Sequence, residues 1–294
     1  YSADHGCVVV METKTGHIKA ISNLGRANDG SYYETQNYAI TESHEPGSTF
    51  KLVDLIAVLD DKKADTSKIY DSKGGVIEYY GRKVRDSKPG GYGKISLARG
   101  FELSSNTVLV QSVYDSYKNN PKQFVDRINS YGLNKPLGLP IKGEGKPVIP
   151  QPGTNRWSGV ALPWMAFGYG LSVTPLQTLT LYNAVANDGV MVKPIFVSEI
   201  KEWNKTIKKY NTEVINPKIC SQETLDKVQA VLENVVKKGT GSKLYSKDFS
   251  MAGKTGTAQV NYKDKSKLYY ASSFVGYFPA DEPKYSCIVV VHKP

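Results

Sequence analysis

Histidine and cysteine are scarce in this chain, four and three respectively among 294 residues. The cysteines, Cys7, Cys220 and Cys287, are odd in number and lack C-x-x-C spacing, and the histidines stand isolated from one another and from the cysteines. Both observations argue against a metal site and against a disulfide scaffold. Cys7 and Cys287 lie in apolar strand-like runs and can approach each other in one sheet, but buried free thiols are the expected state. Apolar runs are only a few residues long, so no segment is expected to cross a bilayer. No leader peptide is expected before the first strand-like segment either. The chain is therefore expected to be soluble as it stands, or to have been trimmed of targeting and anchoring segments.

Acidic residues are the minority charge, 28 against 38 Lys and Arg, for a net charge of +10. The basic residues are scattered and no nucleic-acid motif accompanies them, so a solvated surface is expected and nucleic acid is not a partner. An anionic extracellular polymer remains a suitable partner class. The rest of the composition is ordinary, 40% hydrophobic and 22% charged, enough for one large domain or two packed lobes.

Residues 6–12 read as an apolar strand and 17–22 as its hairpin partner. A helix is expected from Ser48 to about Leu59, apolar on nearly every side through Phe50, Leu52, Val53, Leu55, Ile56 and Val58, and therefore buried. Residues 68–95 hold hairpin-like turns at 72–75 and near Gly81. Ser96 caps a short helix leading to Ser104, and a second helix follows Asn106. Residues 132–160 read as a long loop. Thr174-Pro175 opens a helix that stops at Gly189, and another runs from about Thr224 to Lys238. Strands follow at 251–260, 272–278 and 285–292. The expected class is α/β (α+β): a mainly antiparallel sheet of N- and C-terminal strands flanked by helices, with an inserted all-helical lobe. The sheet lobe takes about 1–47 and 220–294, and the helical lobe about 48–219.

Three short motifs carry chemistry: Ser48-Thr49-Phe50-Lys51, Ser104-Ser105-Asn106 and Lys254-Thr255-Gly256-Thr257. On a helix, Ser48 and Lys51 share a face, and the N-terminal lean of helical side chains tilts Lys51 toward Ser48. A serine hydroxyl needs a base to become a nucleophile, and with no histidine in any motif that base is a lysine that must be partly neutral. An apolar surrounding, the helix N-terminus and a second cation such as Lys254 would each lower its pKa. Asp54 works the other way, since an ion pair with Lys51 would raise it. Ser104 and Asn106 lie at a break between helices, where they either cap the next helix or relay a proton and hold Lys51 and a substrate carbonyl. In the third motif, strand alternation puts Lys254 and Gly256 on one face, and Gly256 lets a helix or ligand approach the backbone. An edge strand there could lend an N–H to an oxyanion hole with the Ser48 N–H and accept a peptide as an extra strand.

With these motifs in this order, the chain resembles, nearly end to end, the transpeptidase domain of a penicillin-binding protein. Glu45-Pro-Gly-Ser-Thr-Phe-Lys51 and Lys254-Thr-Gly-Thr-Ala-Gln259 are similar to the monofunctional class B version, as the hairpin Gly6 to Gly16 is to the family's opening hairpin. Gly168-Tyr-Gly-Leu-Ser-Val-Thr-Pro-Leu-Gln177 and Phe274-Val-Gly-Tyr-Phe-Pro279 resemble the division-specific, septal type. The resemblance implies a β-lactamase/transpeptidase-like fold and a D,D-transpeptidase that crosslinks peptidoglycan stem peptides through a Ser48 acyl-enzyme, which β-lactams also form. It implies Lys51 as base, Ser104 with Lys254 as proton relay and Asn106 as substrate anchor. Lys254, Thr255 and Thr257 would bind the terminal carboxylate beside Gly256, and the Ser48 and Thr257 N–H groups would form the oxyanion hole. No metal or cofactor is implied. Implied partners are stem peptides, the lipid-linked precursor, β-lactams, a glycosyltransferase and division-complex proteins, at the outer face of the cell membrane. Membrane anchor and pedestal module are expected to be absent, leaving an excised catalytic domain. A hydrolase, either a D,D-carboxypeptidase or a β-lactamase, is the alternative, though Glu144, the only glutamate of the 132–160 loop, lacks the class A pattern around it. A non-catalytic β-lactam sensor or division scaffold is the reading from another class.

Overall fold

In the first strand, His5–Glu12, the side chains of Cys7, Val9 and Met11 are buried and those between them are more exposed, the period of two that packs one face of a sheet. The last strand, Tyr285–His292, alternates in the same way and pairs antiparallel with the first, His5 opposite His292 and Glu12 opposite Tyr285. The computed structural model describes residues 2–262 and 266–294. Its main sheet has six strands in the order Ala252–Val260, Tyr269–Phe278, Tyr285–His292, His5–Glu12, Ile18–Arg26, Tyr32–Tyr33, and every pairing is antiparallel. The two ends of the chain thus supply the two middle strands, and Ala252–Val260 is left at an edge.

Helices cover the sheet. Pro175–Ala186 is buried along its whole length of 12 residues and packs on the strands Tyr269–Phe278 and Tyr285–His292. It starts with Pro175 behind a capping box between Thr174 and Gln177, so its first free N–H groups have partners. Gln222–Lys238 buries one stripe, including Leu225, Val228, Leu232 and Val235, and lies on the edge strand. Lys51–Asp60 is buried from Lys51 to Leu59, as its apolar circumference requires.

The structure differs from the sequence expectation in four places. Ser48 sits in a 3-10 turn, Gly47–Phe50, and the α-helix begins only at Lys51. Helices also form at Pro121–Ser130 and Ala161–Met165. Residues 48–219, expected to be all-helical, are mostly helical but also carry short antiparallel ladders, Ile69–Asp71 with Lys94–Ser96, Val76–Tyr79 with Arg82–Arg85 and Glu199–Glu202 with Lys205–Lys209. Strands this short hold too few alternations to be told from loop. Finally, the histidines are not isolated: strand register and the segment after Tyr38–Thr41 bring His5, His44 and His292 together. Cys7 and Cys287 share the seam between first and last strands, but in register with Val290 and Val10 rather than with each other, and all three cysteines are free.

Candidate active site

The turn that presents Ser48 is clamped on both sides. The Gly47 N–H donates to the Gly168 carbonyl at 3.1 Å, and the Tyr182 hydroxyl donates to the Thr49 carbonyl at 2.8 Å. Gly168 has φ +83°, and a Cβ there would fall on the Gly47 carbonyl oxygen, so only glycine allows this approach. The Glu45 carboxylate accepts the Gly170 N–H at 2.8 Å and the Tyr262 hydroxyl at 3.1 Å. Ser48, half-buried, opens into a cleft of about 1220 Å³.

Lys51 is fully buried, one turn from Ser48. Its Nζ donates to the Ser104 carbonyl at 2.8 Å, to Ser104 Oγ at 3.2 Å and to Asn106 Oδ1 at 2.6 Å. Burial lowers its pKa to about 7, against the attraction of Asp86 and Asp54. Asp54 does not engage it. Both Asp54 oxygens are buried without a hydrogen-bond partner, and burial pushes that carboxyl well above its ordinary pKa. A carboxylate in such a place is held neutral, because an ion with no donor around it is far costlier than a protonated acid. The N-terminal lean draws Lys51 to the interhelical break instead.

That break is unusual in its backbone. Ser104 has φ +56°, a region that residues other than glycine seldom adopt, between the helices Leu97–Glu102 and Asn106–Tyr117. The capping that Ser104 or Asn106 might have supplied is done by Ser105, whose Oγ accepts the Val108 N–H at 3.2 Å. Ser104 and Asn106 are thereby left to face Lys51. Asn106 Nδ2 donates to the Arg85 carbonyl at 2.7 Å, which fixes the amide with its oxygen toward the lysine. Asp86 accepts from Ser105 Oγ at 3.0 Å, the Thr107 N–H at 3.0 Å and Thr107 Oγ1 at 2.8 Å. The ladder ending at Arg85 therefore holds the break in place.

On the edge strand, Lys254, Gly256 and Ala258 face inward, while Thr257 and Gln259 are exposed. The Gln259 N–H donates to the Tyr169 hydroxyl at 2.7 Å, so it points away from the neighbouring strand, and the period of two turns the Thr255 and Thr257 amides the same way. Lys254 is fully buried, its Nζ donating to the Thr255 carbonyl at 2.9 Å and lying 5.7 Å from the Phe101 ring centre. Burial pushes its pKa well down, and the nearby Lys51 adds to the effect. Thr255 Oγ1 shares a hydrogen bond of 2.6 Å with Thr240 Oγ1. A Cβ on Gly256 would meet the Ser273 hydroxyl and the Thr49 methyl, so glycine lets the strand lie on the Ser48 turn.

Ser48, Asn106 and Thr257 line one cleft, with Lys51 beneath them. One cleft wall is aromatic (Trp164, Phe167, Tyr169) and another basic (Arg82, Arg85, Arg156). Neither wall was found from sequence, nor were Glu45, Arg85 and Asp86 as supports of the site. The only local hint for the last two is a polar Arg-Asp pair closing a short basic strand.

The family profile described as penicillin binding protein transpeptidase domain matches residues 6–294. The chain is 30% identical over 309 residues to stage V sporulation protein D of Bacillus subtilis, covering 100% of the chain and 46% of that protein. It is 27% identical over 301 residues to the peptidoglycan D,D-transpeptidase FtsI of Escherichia coli K12, covering 99% of the chain and 47% of that protein. The chain thus spans about half the length of these curated relatives. Among solved structures, the D,D-transpeptidase domain of a peptidoglycan glycosyltransferase from Eggerthella lenta superposes with a TM-score of 0.88 at 27% identity, over 99% of this chain and 74% of that one. Penicillin-binding protein 3 of Mycobacterium tuberculosis complexed with aztreonam gives 0.86 at 26%, over 99% and 67%.

Proposed function

Because the chain belongs to the penicillin-binding protein transpeptidase domain family, we propose that this cleft is the active site of a serine D,D-transpeptidase that crosslinks peptidoglycan stem peptides and is acylated by β-lactams. The observation that carries the reading is the placement of Lys51, desolvated and bonded to Ser104 and Asn106 at the base of the cleft that Ser48 enters.

In the proposed reaction the neutral Lys51 amine takes the Ser48 proton as Oγ attacks the carbonyl of the penultimate D-Ala. The oxyanion is held by the N–H groups of Ser48 and Thr257. The first belongs to a first helical turn, where no partner exists within the helix, and the second points out from the sheet edge. Of the three atoms around Lys51 Nζ, only Ser104 Oγ can donate as well as accept, which suits it to pass the proton on to the leaving nitrogen. The C–N bond then breaks, releasing D-Ala and leaving a Ser48 ester. An amine of a second stem attacks that ester, the Ser48 C–O bond breaks as the crosslink forms, and the proton the amine loses passes by way of Lys51 to Ser48 Oγ, which restores the serine and the neutral lysine. Asn106 anchors the substrate, and Lys254, Thr255 and Thr257 bind its terminal carboxylate beside Gly256. The open edge of Ala252–Val260 gives the peptide a strand to pair with.

Transfer is favoured over hydrolysis by the fate of Glu144. Its carboxylate accepts the N–H groups of Leu137, Gly138 and Leu139 and so closes its own loop instead of lining the cleft. We further propose a septal role, a glycosyltransferase and division proteins as partners, and the outer face of the cell membrane as the location, the chain's relatives and the wall-polymer substrate being the support. Among the described residues no helix is long and apolar enough to cross a membrane.

Labelling with a fluorescent penicillin, beside Ser48→Ala, tests the mechanism, and a donor–acceptor stem-peptide assay tests the transfer. The wild type should label and form crosslinked product, and the variant should do neither. An unlabelled wild type would overturn the mechanism, and label without transfer would indicate a sensor.

A further inference from the structure

Arginine is rare in this chain: six residues, with lysine supplying the rest of the 38 basic side chains. Three of the six, Arg82, Arg85 and Arg156, line the cleft that Ser48 enters, and Lys83 adds a fourth cation. The other three are engaged elsewhere. Arg99 pairs with Glu102 and Arg127 with Asp60, both at 2.8 Å, and Arg26 donates to the Ser2 carbonyl. The three in the cleft are exposed, and among the described residues none of them meets a carboxylate. Asp86 is the one acid of the described lining, and Ser105 and Thr107 occupy its oxygens.

Solubility is a poor reason for this arrangement. Lysine meets that need over the rest of the surface, whereas arginine adds a rigid planar fork that fits a carboxylate with two parallel bonds. Cations gathered on one wall also repel one another until an anion arrives, and a cleft of one sign concentrates oppositely charged ligands. Position then limits which anion fits. The strand Arg82–Arg85 ends at the carbonyl that accepts Asn106 Nδ2 at 2.7 Å, so the row leads away from the reacting centre along the cleft wall. At about 3.3 Å per residue, Arg82 stands about 10 Å beyond Arg85, and an extended peptide advances at the same rate. The anion therefore belongs to the substrate itself, within about three residues of the bond that is cut.

We propose that Arg82, Arg85 and Arg156 form a subsite for a carboxylate on the acyl-donor stem peptide, on the amino-terminal side of the scissile bond. This group is distinct from the terminal carboxylate that Lys254, Thr255 and Thr257 bind. The subsite rests on the acyl-transfer reading and adds to it a preference among donors. A stem with a free carboxylate at that place acylates Ser48 faster than one in which the same group is amidated.

The test uses two penicillins with the same adipoyl side chain, one ending in the free carboxylate and the other in its carboxamide. Their second-order rates of acylation are read by competition with a fluorescent penicillin. On the wild type the carboxylate should react at least about fivefold faster at low ionic strength, and added salt should shrink that ratio. Arg82→Gln and Arg156→Gln should each lower the ratio about two- to fivefold, the range of exposed ion pairs, and the double variant should bring it close to one. Lys63→Gln, past the far end of the helix Lys51–Asp60, removes the same charge outside the cleft and should leave the ratio as it is. Because both penicillins meet the same protein, a general loss of activity in a variant cancels. A wild-type ratio of one overturns the subsite, as does a ratio that neither arginine variant lowers or that Lys63→Gln lowers equally. Failure of the fluorescent penicillin itself to label the wild type would instead refute the acyl-transfer reading.

Discussion

A lysine ammonium with no exposed surface has lost its hydration, and at Lys51 three oxygens replace it. The replacement is incomplete, so the pKa falls to about 7. Because Lys51 must be neutral to act as the proposed base, β-lactam acylation is expected to rise about tenfold per pH unit below that value and to level off above it, measured as the second-order labelling rate. The two nearby aspartates should behave differently. Burial favours the neutral form of Asp54, in which it exerts no attraction on Lys51, so Asp54→Asn should leave the midpoint within about half a unit. Asp86→Asn removes an attraction that favours the charged lysine, so the midpoint should move down. A large downward shift in the Asp54 variant would show that its carboxyl is ionised. At this scale the motif side chains could be named from sequence, because S-x-x-K spacing and strand alternation are local rules. The supports could not: Asp86 meets Thr107 across 21 positions and Glu45 meets Gly170 across 125.

Two of the approaches at the site depend on a missing side chain. Gly168 and Gly256 let a loop and the edge strand reach the Ser48 turn from opposite sides. Gly168→Ala combines a positive φ with a clash against backbone, which cannot rotate away, so a loss of at least about 2 kcal/mol and a Tm drop of about 4–8 °C are expected by calorimetry. Acylation should slow as the Ser48 turn shifts. Gly153→Ala, also at positive φ but with nothing near the added methyl, should cost only the strain of about 1 kcal/mol and leave the rate unchanged. The long helices and sheet strands were legible because apolar spacing runs through several turns or alternations, with a Thr-Pro start at Pro175–Ala186. Pro121–Ser130 also has an apolar stripe, Phe124, Val125 and Ile128, and an Asn-Pro start, so the same local rule could have found it. The Ser48 turn was misread as α-helix because 3-10 and α geometry share the same short-range spacing.

At the scale of the whole molecule, the sheet is assembled from the two ends of the chain, with residues 5–12 bonded to residues 285–292. Removing the last strand would therefore take out a middle strand and expose both neighbours. A chain ending at Pro283 is expected to lose cooperative thermal unfolding and near-ultraviolet circular dichroism, whereas a peripheral loss would leave both. Contacts between such distant residues also predict slow folding compared with a helical protein of this size.

The seam has a direction as well as a position. Because the two strands are antiparallel and His5 faces His292, tension applied between residues 2 and 293 would load the ladder at one end, opening it pair by pair like a zip. That is the mechanically soft way to separate two strands, and the first pair to part would be the two stacked imidazoles.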